Sequence, residues 1–139
     1  MDSPEDFGRF LAQRARFWSN ARIAPESNNF GRSCIVAIHD SGYPYIANDV
    51  RWTGQMFTPH SDLGITVTEP LRRMMLSDHK RQFEDFGLIV NSRTQLKEMR
   101  SMTRKGIRWE GYPHDDLLFA DLHCVFVQSM GTARGRMIG

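Results

Sequence analysis

The stretch from Ser33 to Asn48, SCIVAIHDSGYPYIAN, constrains the fold of this chain more than any other. Its first half is an apolar run rich in β-branched residues, Ile35, Val36 and Ile38, which suits a strand buried on both faces. Its second half, Tyr43 to Ala47, sets two aromatics and an isoleucine around Pro44, and proline places such a strand near an edge. Between the halves, Asp40, Ser41 and Gly42 have the composition of a three-residue hairpin loop with glycine at its left-handed position. The reading is a hairpin at residues 33–48 that seeds an antiparallel sheet.

A chain of 139 residues, 40% hydrophobic and 24% charged, can bury one core and is short for two. The expectation is therefore a single α+β domain, its sheet covered by an N-terminal helix and two central helices. Cys34 and Cys124 sit in apolar runs without metal-type spacing, as unpaired core thiols in a reducing compartment would. The acidic N-terminus has no signal-peptide pattern, which points to the cytoplasm. The longest apolar runs, such as Ile35 to Ile38, are about four residues against the roughly twenty a bilayer requires, so no membrane partner is expected.

The clearest helix is the first. Ser3 is a good N-cap, Pro4 suits the first position, and Glu5 and Asp6 favour the positive end of the dipole, predicting a helix over about 4–20. Residues 22–32 read as a loop, Trp52 to Phe57 as a short strand with a bulge at Gly54, Thr58 to Asp62 as a turn, and Ile65 to Val67 as a strand. Thr68 caps a second helix with Leu71, Met74, Met75 and Phe86 on its apolar face and Gly87 as its stop, the polar patch Ser77 to Lys80 being a place where it could break. Asn91 or Ser92 caps a third, running to Lys105 with Leu96 and Met99 as core contacts and Gly106 as its end. Ile107 to Tyr112 is strand-like, with a turn at Pro113 and His114. Residues 117–128 fit both periods, and the run Val125, Phe126, Val127 tips the reading to strand. The glycines of 131–139 read as a flexible tail.

Chemistry is harder to find. Five histidines and two cysteines show neither a CxxC pair nor HExxH, so no metal is expected. The densest acid and imidazole group, His114, Asp115, Asp116, Asp121 and His123, has the composition of a general-base site, yet such residues also dominate turns and caps. With no GxxxxGK[ST], GxGxxG or GxSxG, the chain offers no catalytic residue and no cofactor motif.

The best functional signal lies in the third helix. Arg93, Lys97, Arg100 and Arg104 step by four, three and four residues, which places them on one helical face. Arg108 and Trp109 would extend that stripe with a cation and a stacking surface, the combination that grips single-stranded nucleic acid. Fifteen arginines against three lysines suit phosphate recognition, although base composition of a genome also shifts that ratio.

The DSGYPYIAN segment, chiefly Asp40, Gly42 and Pro44, resembles the early hairpin of split-barrel flavin-binding proteins and the opening hairpin of PAS-type sensor domains. The likeness covers about ten residues and implies a small-ligand or flavin-binding domain as the second reading. The first reading is a non-enzymatic binding or assembly protein that contacts RNA or DNA, or another polyanion, through Arg93, Lys97, Arg100, Arg104, Arg108 and Trp109, with a protein partner or homo-oligomer also compatible.

Overall fold

The structure, a computed structural model, describes residues 3–85, 87–106, 108–112 and 114–137, and of 131–137 the backbone alone. Contacts gather the chain into two compact units, Met1–Val67 and Thr68–Gly139. The first contains α1 (Pro4–Phe17), α2 (Gly31–Asp40), β1 (Asn48–Trp52) and β2 (Phe57–Leu63). The second contains α3 (Glu69–Glu84), α4 (Arg93–Ser101), β3 (Thr103–Lys105), β4 (Arg108–Glu110) and α5 (Asp116–Met137). The class is α+β as expected, with small antiparallel hairpins β1–β2 and β3–β4 set beside helices.

Helix α1 begins as its sequence dictates. The Ser3 hydroxyl accepts from the Asp6 amide at 3.1 Å and donates to the Asp6 carboxylate, satisfying one of the free donors of the first turn.

The hairpin expected at residues 33–48 is not there. Its first half is helix α2, in which Cys34, Ile35, Ala37 and Ile38 are buried while Val36 is 53% exposed. That i, i+1, i+3, i+4 pattern is one face of a helix, and a strand buried on both faces would have enclosed Val36 as well. Gly42 does take the left-handed conformation, with φ of +72°, but it ends a helix and does not turn a hairpin. The Gly42 amide donates to the His39 carbonyl at 2.9 Å and the Tyr43 amide to the Ile38 carbonyl at 3.4 Å, the paired bonds of a Schellman motif. Tyr43 and Ile38, the residues that such a motif brings into contact, are both members of the core that also holds Ala12, Ala15, Cys34 and Ile46.

Past this cap the chain is extended. Isolated bridges join Ile23 to Ile46 and Glu26 to Ile65, both parallel, and the Tyr43 hydroxyl donates to the Ala21 carbonyl. The sheet pairing that does form lies later than expected: β1 pairs with β2 from Asn48 opposite Leu63 to Trp52 opposite Phe57, so Thr58 to Asp62 is strand and the turn falls at Thr53 to Met56. Asp49, buried in β1, accepts from the Thr66 amide at 2.8 Å and the Thr66 hydroxyl at 3.1 Å, which satisfies a carboxylate that would otherwise be costly to bury.

In the second unit Thr68 caps α3 as expected, accepting from the Leu71 amide, and the helix passes unbroken through Ser77 to Lys80. Leu71, Met75 and His79, one helical turn apart, form its buried stripe; Phe86, Ile107 and Pro113 lie outside the described residues. The ambiguous segment 117–128 is helical, with Leu118, Leu122, Val125 and Phe126 buried at helical spacing. The helix continues to Met137, over most of the stretch read as a tail.

Two measurements check this arrangement. Urea unfolding should show Ile38→Ala costing about 2–5 kcal/mol, as a large-to-small change at a fully buried site does. Val36→Ala should stay within about 0.5 kcal/mol, whereas a doubly buried strand would make the two losses similar. The cysteines differ, against the expectation of two core thiols: Cys34 is buried and Cys124 exposed on α5. Burial, with a contribution from Glu5, pushes the Cys34 thiol up from its ordinary range. Burial, with a contribution from Asp121, pushes the Cys124 thiol up as well, so the difference between them is one of access: a thiol titration of native protein should modify Cys124 first and Cys34 only after denaturant is added.

Candidate nucleic-acid interface

Helix α4 has the sequence RTQLKEMRS, with Ser92 as its cap accepting from the Gln95 amide at 3.2 Å. Its inner side is held by polar groups. Glu98, the one acidic residue in this short basic helix, is buried and its Oε2 accepts from the Leu118 amide at 2.9 Å, capping the start of α5 with a carboxylate where the helix dipole favours one. Gln95 donates through Nε2 to Asp121 Oδ2 at 2.8 Å. The same Asp121 oxygen lies 2.7 Å from Nε2 of the buried His79, so one carboxylate ties α3, α4 and α5 together.

At 100° per residue Gln95 and Glu98 fall opposite Arg93, Lys97 and Arg100. Anchoring the first pair turns the three cations outward, and all three are exposed. Arg104 does not continue the stripe. The helix ends at Ser101, because Met102 leaves it with an extended backbone, φ −60° and ψ 120°, and Thr103 to Lys105 enter a strand. Leu96 and Met99 are only partly buried, and the deepest side chain of α4 is Glu98.

Arg104, Arg108 and Trp109 come together in the β3–β4 hairpin instead. Register places Arg104 opposite Trp109 and Lys105 opposite Arg108; facing residues of an antiparallel pair share a face and successive residues alternate, so the first pair lies on one face of the hairpin and the second on the other. Lys105 opposite Arg108 is a like-charge pair, which disfavours the hairpin by itself. Lys105 Nζ reaches Glu110 at 3.3 Å and Arg104 Nε donates to the Gly106 carbonyl at 2.8 Å. Among the described residues Arg93, Lys97, Arg100 and Arg108 have no acidic partner within salt-bridge distance.

The base of the hairpin is fastened to the helices. Ser101 Oγ donates to the Glu98 carbonyl and accepts from the Tyr112 amide at 3.2 Å. Arg72 of α3 donates to the Trp109 carbonyl at 2.9 Å, lies 3.5 Å from Asp115, and stacks its guanidinium 3.7 Å from the centre of the Phe119 ring. Asp115 Oδ2 also accepts from the Gly111 amide at 3.1 Å. Trp109 is 39% exposed and Tyr112, just past the strand, 82% exposed.

The acid and imidazole group of the sequence is dispersed by these roles. Asp115 serves the hairpin base, Asp121 serves His79, His123 is buried and His114 is exposed. Elsewhere His39 lies beside Asp40 and His60 beside Asp62. Among the described residues no three His, Cys, Asp or Glu side chains converge as metal ligands would, and no helix is long and apolar enough to cross a membrane. No protein-family model, no curated protein and no solved structure matches the chain.

The sequence alone assigns no role to Tyr112 or to the partly buried Gln95, and marks Glu98 only as the acid lying off the basic stripe. A lone acid within a basic helix was the available signal for Glu98. The Asp121 tie is open to direct measurement: Asp121→Ala leaves buried His79 and Gln95 without their acceptor and should cost about 1–3 kcal/mol in chemical denaturation. Asp121→Asn retains a carbonyl acceptor and should cost less.

Proposed function

We propose that the protein is a non-enzymatic binding or assembly protein that contacts nucleic acid through the outer side of α4 and the β3–β4 hairpin. The observation that carries the reading is the face pairing of Arg104 with Trp109, with Lys105 and Arg108 on the other face, on a hairpin whose base is braced by Arg72, Ser101 and Asp115. A cation beside an indole is the combination that holds a phosphate and stacks on the adjoining base. Arg93, Lys97 and Arg100 supply further positive charge from a helix face turned outward by the inward bonds of Glu98 and Gln95. The flavin-type alternative has no comparable support, since the 33–40 strand on which its hairpin depended is helical.

Fluorescence anisotropy with a labelled single-stranded oligonucleotide, at two or more salt concentrations, tests this. Contacts from Arg93, Lys97, Arg100, Arg104 and Arg108 should give a slope of log affinity against log salt of roughly −3.5, at about −0.7 per phosphate. Arg108→Gln should flatten the slope by about 0.7. Trp109→Ala should weaken binding by about 1–3 kcal/mol with the slope unchanged. No binding to RNA or DNA at low salt would overturn the proposal.

A further inference from the structure

Helix α1 turns its small residues to the core of its own unit and its aromatic ones away from it. Its buried residues are the small ones, Gly8, Ala12 and Ala15. Leu11 packs against that core, but the aromatics point away: Phe7 is 45%, Phe10 36%, Phe17 74% and the capping Trp18 69% exposed. At 100° per residue Phe17, Phe10, Arg14 and Phe7 fall within about 80° of one another, a continuous stripe about 15 Å long. Arg14 already lies over the Phe10 ring at 5.1 Å, and Phe17 and Trp18 meet edge to face at 5.6 Å. Exposed aromatics and arginine in one patch are the composition of an interface centre.

The stripe also specifies what would cover it. Phe7, Phe10, Arg14 and Phe17 are spaced three, four and three residues apart, so the order of spacings is the same read from either end. Laid antiparallel on a second copy, Phe7 faces Phe17 of that copy and Phe10 faces its Arg14, and the twofold axis repeats both pairs. Charge agrees with that orientation. Asp6 in the first turn and Arg14 in the last flank the stripe, while Arg16 turns to its own unit and donates to the Ser41 carbonyl, so antiparallel pairing brings an acidic end toward a basic end and opposes the two helix dipoles. A parallel pair would instead bring Arg14 against its own copy.

We propose that a second copy of this chain docks on α1, forming a twofold dimer through an antiparallel α1–α1 contact in which Phe10 of each copy stacks on Arg14 of the other. One helix face on each side is a small interface, so the association is reversible and concentration-dependent.

Sedimentation velocity on the full chain, from low micromolar to submillimolar concentration, should show a shift from monomer to dimer. The double variant Phe10→Ser, Phe17→Ser should remain monomeric throughout with an unchanged far-UV circular dichroism spectrum. If that variant loses helix, Arg14→Glu at the exposed centre of the stripe replaces it, with the same expected result. Register is read by crosslinking in a Cys124→Ser background: a mixture of Phe10→Cys and Arg14→Cys chains should form the mixed disulfide faster than either forms its own. A chain that is monomeric at every concentration, a dimer insensitive to these substitutions, or preferential Phe10→Cys self-crosslinking would overturn the proposal. So would a monomer that cosediments with anionic phospholipid vesicles through the same aromatics, since the covering partner would then be lipid.

Discussion

Two helices can approach closely only where one of them has nothing in the way. In the first unit that place is Gly8: a Cβ there would stand 2.5 Å from the Cys34 carbonyl oxygen and 3.1 Å from Ala37 Cβ. This near-contact of α1 with the backbone of α2 decides which side of α1 is buried, because only Gly8, Ala12 and Ala15 line up to allow it. The aromatics of α1 are displaced to the other side as a result. The surface character of this unit is thus a consequence of how tightly its helices meet, as much as of its composition.

The second unit is organised differently, through polar groups bonded between its helices, some buried and some partly buried. Glu98 and Asp121 are carboxylates held among helices, and each is satisfied: Glu98 by a backbone amide of α5, Asp121 by His79 and Gln95. Removing such groups from water is unfavourable unless their bonds are well made, so they are specific about where α4 can sit. Apolar contacts alone would leave its rotation less restricted. The outward direction of Arg93, Lys97 and Arg100 follows from that restriction, and Arg72 and Asp115 do the same for the hairpin. The basic surface faces outward because its supports face inward.

Local capping was legible from the residues themselves. Ser3, Thr68 and Ser92 each start a helix where their short hydroxyl side chains indicated, since the bond from Oγ to an amide three residues on needs no distant partner. Gly42 takes the left-handed backbone its position suggested. Of the candidate interface, the outward cations of α4 were legible from their spacing. Arg104 was misplaced because a period of four continues on paper past Ser101, whereas the helix ends there and Ser101 Oγ accepts the Tyr112 amide of the returning chain.

The sequence by itself determined where helices start, where a left-handed residue falls, and that positive charge gathers between Arg93 and Arg108, because these depend on interactions a few residues long. Tertiary structure decided whether 33–40 and 117–128 were strand or helix. Both are short apolar runs compatible with either period, and the choice rests on what they meet: Gly8 and Ala12 of α1 give Cys34 and Ile38 a helical groove, and Leu71 and Met75 of α3 lie in the core that Leu118 and Leu122 enter. Strand preference of Ile and Val amounts to about 1 kcal/mol across its whole scale, while burying one such side chain contributes about 1.5–3 kcal/mol, so packing overrides propensity wherever the two disagree.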